Sequence, residues 1–228
     1  MAPGHLDSRT LSSGIVNLTV GPSETPFDVH IELLCDRSPY FDNMLGNRYA
    51  ESSSAELILP NETPETFADF VSWAYSGRIS DVETAIDSSR VLHLFQLWTL
   101  AEKFHVPELQ DIALQTCKEY LDANSNSLVP CDAVRHAYVH SAPGAAIRRL
   151  AVDAWAARAW KSDIVQARRG LLLLFLEDLR IFRPDTIVVA SESQLAKRRI
   201  KSPSSRRRTS EKKISQSSLW APMSALQI

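Results

Sequence analysis

The first periodic stretch of the chain is Ile15-Val16-Asn17-Leu18-Thr19-Val20, rich in β-branched residues and ended by Gly21-Pro22. That pattern predicts a strand closed by a turn. Pro26-Phe27-Asp28-Val29-His30 alternates apolar and polar positions again, so the two segments predict a hairpin. Ile31 to Asp36 fits a short helix. Ser38-Pro39 opens another, because Ser is a good N-cap and Pro suits the first helical position. Glu56-Leu57-Ile58-Leu59 reads as a third short strand, stopped by Pro60.

From here the period changes from two to between three and four. Thr63-Pro64 repeats the cap-plus-proline start, and Phe67, Phe70, Val71, Ala74 and Tyr75 then line one helical face, with Gly77 placed to end it. Val91 to Phe104 is apolar on more than one side, which predicts a helix central to its domain. Pro107 starts the next helix, with Leu109, Ile112, Ala113, Cys117 and Tyr120 in register and Glu108 and Asp111 near its positive end. Ala123-Asn124-Ser125-Asn126-Ser127 is a polar break. Helical patterns resume at Val134-Ala137-Tyr138 and at Ile147-Leu150-Ala151-Ala154-Trp155, and a last helix follows Gly170 as far as Phe182. Beyond Pro184 the period is lost and Ser, Lys and Arg dominate.

Charge sharpens this division. Residues 14–123 hold 6 Lys and Arg against 18 Asp and Glu, residues 128–183 hold 9 against 5, and residues 184–228 hold 9 against 3. The net charge of −2 for 228 residues therefore hides an acidic front and a basic back. Nucleic acid is repelled by the first and could be held only by the second. The reading is a mostly helical α/β (α+β) chain: a short flexible N-terminus at 1–13, a mixed domain at 14–123, a helical extension at 128–183, and a disordered basic tail at 184–228. The longest apolar run, Leu171 to Leu176, is far short of the about 20 residues a membrane span needs. The first residues, MAPGHLDSRTLSSG, contain no apolar core of a secretory leader. Three scattered cysteines, Cys35, Cys117 and Cys131, fit a reducing compartment better than a disulfide scaffold. Cytoplasm and nucleus are the expected locations.

The order of elements, and three composite motifs, resemble the BTB/POZ domain. The motifs are VGPSETPFDVHIELLCDRSPYFDNML, AELILPNETPETFADFVSWAYSGRI and LWTLAEKFHVPELQDIAL, in family order over about half of the chain. The segment VPCDAVRHAYVHSAPGAAIRRLAVDAW is similar to the helical extension of fungal BTB proteins. The resemblance implies a small sheet packed on helices, no catalysis, no cofactor, and a function as a protein–protein interaction module. Its sharper form is a substrate adaptor of a cullin-type ubiquitin ligase. In such adaptors a hydrophobic-x-acidic motif precedes the third strand, and Tyr49-Ala50-Glu51 stands at that place, so Tyr49 and Glu51 are the candidate cullin-binding residues. Two departures concern self-association. Many members open the first strand with Asp and follow the motif His with Lys or Arg, charges that sit in the dimer interface. Here Gly14-Ile15-Val16 and His30-Ile31 stand instead, which implies at most a weak homodimer.

The remaining candidate chemistry is sparse. There is no G-x-S-x-G, no Gly-rich phosphate loop and no H-E-x-x-H. Cys131, His136 and His140 form the one metal-like constellation, the two His sharing a helical face, but a fourth ligand is not evident and two partly exposed histidines on a helix are the expected reading. The clusters Lys197-Arg198-Arg199-Ile200-Lys201, Arg206-Arg207-Arg208 and Lys212-Lys213 have the composition of a nuclear-import or polyanion-binding segment. They support an alternative function, a nuclear regulator associated with nucleic acid through its tail.

Overall fold

In a computed structural model, residues 8–12, 14–45, 56–79, 88–124, 127–167 and 170–182 are described. The elements in chain order are α1 (Ser8–Ser12), β1 (Ile15–Val20), β2 (Thr25–His30), α2 (Ile31–Arg37), α3 (Pro39–Leu45), β3 (Glu56–Leu59), α4 (Pro64–Ser76), α5 (Ser88–Lys103), α6 (Pro107–Ala123), α7 (Cys131–His140), α8 (Ala146–Arg158), α9 (Lys161–Ala167) and α10 (Leu173–Phe182).

The sheet has the order β2-β1-β3, with β1 antiparallel to β2 and parallel to β3. Alternation along β1 decides which face is covered. Val16, Leu18 and Val20 are fully buried, while Ile15 is exposed. Register sets Leu18 opposite Phe27 on one side and Leu57 on the other, so one apolar layer runs across all three strands. At Gly21 the φ of 75° suits the turn, and a Cβ would lie 2.9 Å from the Glu62 carbonyl oxygen. Only glycine fits that close approach.

The covered sheet face continues into an aromatic core. Phe104, fully buried, has ring centroids of Phe41, Phe70 and Tyr40 at 4.8, 5.1 and 5.2 Å. Ser38 ties three elements together: its Oγ accepts from the Phe41 N–H at 3.4 Å, in the first turn of α3, and donates to the Phe104 carbonyl at 2.7 Å. The expected glycine stop at Gly77 is present, with φ 72° and its N–H on the Trp73 carbonyl at 2.7 Å. The α5 end is different. His105, not glycine, takes the left-handed position (φ 58°), with His105 N–H on the Glu102 carbonyl and Val106 N–H on the Ala101 carbonyl. Those two bonds form a Schellman ending, and buried Val106 supplies its apolar contact.

Helix α5 is central, as its all-round apolarity predicts: it packs on α4, α6 and α7. Helix α7 packs on α5 and α8 on α6, and both meet α10 in a second, smaller aromatic group, in which Phe175 of α10 stands edge-on to Tyr138 and Trp155 at 5.7 and 5.8 Å. The Trp155 indole N–H donates to the Val129 carbonyl at 2.9 Å, fixing the link between α6 and α7 to α8. Two short helices form where the sequence period predicts none. Helix α1 lies within the segment expected to be irregular and contacts α2. Helix α9 is started by Asp163, whose carboxylate accepts the Trp160 N–H at 2.7 Å.

Candidate interaction surface

The packing of α7 against α5 leaves a polar groove of about 660 Å³ between the start of α4, the outer face of α5, and α7. Thr63 and Thr66 come from the α4 start, where the two hydroxyls bond each other. Thr99 and Lys103 come from α5, four residues apart and so on one face. His136 and His140 come from α7 by the same spacing. Lys103 is ion-paired with Glu62 at the groove edge. The groove thus spans the mixed domain and the helical extension, and Thr99 and His136 are hydrogen-bonded across it at 2.8 Å.

Burial explains the state of His136. Taken out of water, and beside His140, its imidazole is harder to charge, and its pKa falls from 6.5 to about 4. An unfolded chain then binds more protons at this site than the folded one between pH 6.5 and 4. Folding stability must fall as the pH drops through that window. His136→Gln keeps a donor for Thr99 but removes the titration. Compared with the variant, wild-type protein is expected to lose stability more steeply below pH 6.5 in urea melts at stepped pH. Parallel curves for the two proteins from pH 7 to about 4 would contradict this origin of the shift.

A second groove of about 740 Å³ lies among α4, α5 and α6. At its wall the carboxylate of Asp69, 7 % exposed, meets His93 Nε2 at 2.7 Å. The partnership satisfies a buried carboxylate that would otherwise be costly.

The residues singled out in the sequence divide sharply. Tyr49 and Glu51 lie outside the described residues, as do Lys197, Arg198, Arg199, Lys201, Arg206, Arg207, Arg208, Lys212 and Lys213. His30 is structural: its Nδ1 is 2.7 Å from the Tyr75 hydroxyl, and Phe27 next to it in the hairpin stands edge-on to Phe67 at 5.0 Å. Cys131 heads α7 and packs under Gly170 instead of joining the two histidines. Among the described residues no three His, Cys, Asp or Glu side chains converge as a metal cluster would. Burial pushes the thiols of Cys35 and Cys117 up to about 11 and about 12, which makes both poor nucleophiles. Gly14 and Ile31 are neighbours: the Ile31 N–H donates to the Gly14 carbonyl at 3.0 Å, and a Cβ on Gly14 would lie 3.1 Å from Ile31 Cδ1. A backbone hydrogen bond between two uncharged residues therefore stands where the resemblance leads one to expect a charged pair. Sequence reasoning missed Thr99, Asp69 and His93, since each is a polar residue on an otherwise apolar helix and gains meaning only from its cross-helix partner.

The family model of the BTB/POZ domain matches residues 14–125. Residues 14–125 are a BTB/POZ domain. The human Kelch-like protein 30 is 31% identical to this chain over 117 residues, which is 51% of this chain and 18% of that protein. The chain thus spans less than a fifth of that relative. Among solved structures, the BTB domain of zebrafish PATZ1 is 21% identical, over 46% of this chain and 75% of the other, with a TM-score of 0.33. The BTB domain of human gigaxonin is 12% identical, over 51% and 98%, with a TM-score of 0.36. BTB/POZ domains are in general non-catalytic modules of protein–protein interaction, and this one carries its interaction function on a mostly helical body with a three-stranded sheet.

Proposed function

We propose that the chain is a BTB adaptor that docks a cullin-type scaffold through the third-strand approach and the face shared by α5 and α7. The observation that carries this is the continuity of that face. Helix α7 is bonded to α5 by the Thr99–His136 pair, and α8 is tied to α6 by the Arg158–Asp122 ion pair, 2.7 Å apart. A partner meeting both the BTB domain and the helical pair then meets one preformed surface, and little ordering cost is charged against binding. Tyr49 and Glu51 supply chemistry suited to such docking: an aromatic anchor for a pocket and a carboxylate for its rim.

Two features agree with an adaptor over a self-assembling scaffold. BTB domains commonly homodimerise, but the Gly14–Ile31 contact supplies no charge to a partner copy, so self-association is weak in this reading. The polar lining of the α5–α7 groove also favours a partner that brings hydrogen-bonding groups.

The test is co-purification. Tyr49→Ala combined with Glu51→Lys is expected to reduce cullin recovery about tenfold or more, the loss of one anchor and one rim contact. Its thermal transition should stay within a few degrees of wild type. Absence of any cullin binding by wild-type protein at tens of micromolar would overturn the proposal.

A further inference from the structure

We infer that His136 and His140 form a two-imidazole site for a borderline divalent transition-metal ion, Zn²⁺, Cu²⁺ or Ni²⁺, at the wall of the α5–α7 groove. The Thr99 hydroxyl has a single hydrogen and lies 2.9 Å from the Gln96 carbonyl oxygen, which can only accept. It also lies 2.8 Å from His136 Nε2. Both contacts are hydrogen bonds only if the hydroxyl donates to Gln96 and the ring donates its Nε2–H to the hydroxyl. That arrangement fixes the tautomer and leaves the lone pair of His136 on Nδ1.

A histidine whose one ring nitrogen donates to a fixed partner while the other keeps its lone pair is arranged as metal-bound histidines are. The second ligand is one helical turn away. The rings of His136 and His140 are 4.5 Å apart between centroids and inclined by 33°, close enough to share an ion. His140 is exposed and can turn toward it. Glu62, the acidic group lining the same groove, is engaged by Lys103, and among the described residues no third His, Cys, Asp or Glu joins the pair. The remaining positions are left to water, so the site is open and not a closed structural centre. Imidazole ligands suit these three ions, with Cu²⁺ bound most tightly of them.

Untagged, chelator-treated full-length protein titrated with each ion by calorimetry tests the inference. Wild-type protein is expected to bind one equivalent of Cu²⁺ at low micromolar concentration, and Zn²⁺ and Ni²⁺ more weakly. His140→Ala changes only an exposed side chain, so its folding is not in question, and it should weaken binding at least tenfold. Thr99→Val, which removes only the partner of Nε2, should weaken binding by about tenfold, the size of other such outer contacts. His105→Ala, an exposed histidine elsewhere, should leave binding unchanged. Equal affinity in wild type and His140→Ala, or no binding of any of the three ions at about 100 μM, would overturn the inference.

Discussion

Phe104→Ala is expected to cost about 3–5 kcal/mol, the range for deleting a buried phenylalanine. The ring is 0 % exposed and touches four others: Tyr40 and Phe41 of α3, and Phe67 and Phe70 of α4. Those neighbours belong to two separate helices that cannot both move inward, because α3 is pinned by Ser38 and α4 by its Gly77 ending. The cavity therefore stays largely open, and the loss falls in the upper part of the range. For a chain of this length each kcal/mol is about 2–4 °C, so the thermal transition should drop by roughly 10 °C or more. Ile58→Ala, on the exposed sheet face, is the control and should shift it by little. A loss below about 1 kcal/mol for Phe104→Ala would show that the aromatic core relaxes around the gap.

Phe104 also shows what the sequence could and could not tell. Its place on an apolar helix was legible from the spacing of Leu94, Leu97, Trp98, Ala101 and Phe104. The Schellman ending one residue later was not, because His105 stands where glycine would have announced it. The strands and long helices were readable for one physical reason: each buries one face, so period and burial coincide. Short helices escape that logic. The α9 segment Trp160-Lys161-Ser162-Asp163 did carry a signal, an acidic residue three positions after the chain entry, reaching back to the entry N–H. Helix α1, five residues long, offered no period at all.

The groove was legible only in part. The i, i+4 histidines were visible. Their unequal fates were not. His136 is drawn against Thr99 of a helix 37 positions earlier, while His140 stays in solvent. Nothing in a linear pattern distinguishes those two cases, since exposure depends on how α7 crosses α5. The same holds for Asp69 and His93, and for the Ser38–Phe104 bond that joins residues 66 positions apart. Tertiary pairing of polar residues is specified by packing of the apolar ones around them, so it emerges only after the core is assembled.

The orientation of α7, on which the proposed docking face depends, is set by Arg148, and its replacement is expected to have the second large effect. Arg148 is 9 % exposed, an unusual burial for a guanidinium. From α8 it donates to the Tyr138 carbonyl at 2.9 Å, to the Ser141 carbonyl, and to Ser141 Oγ at 3.2 Å, and it lies 4.6 Å from the centre of the Tyr138 ring. It therefore caps the C-terminal carbonyls of α7, where a positive charge also faces the negative end of the helix. Tyr138 in turn donates its hydroxyl to Asp178 of α10, so one side chain links α7, α8 and α10. Methionine would fill much of the volume and escape the cost of burying a charge, which in some proteins makes such a swap neutral. Here two carbonyls would be left beneath α8 without their donor, and each costs about 1–3 kcal/mol. The uncapped carbonyls outweigh the relief, and Arg148→Met should lose about 2–4 kcal/mol in total. Lysine restores the charge but not the fork that reaches two acceptors at once, so Arg148→Lys should recover less than half of that loss. Amide exchange would locate the damage: protection should fall over residues 138–150 and in α10 while the sheet stays protected. Under the proposed adaptor function, cullin recovery should fall with it even though Tyr49 and Glu51 are intact. An Arg148→Met protein as stable as wild type, with unchanged exchange in α7, would show that the apolar packing of Tyr138, Trp155 and Phe175 orients α7 without the buried charge.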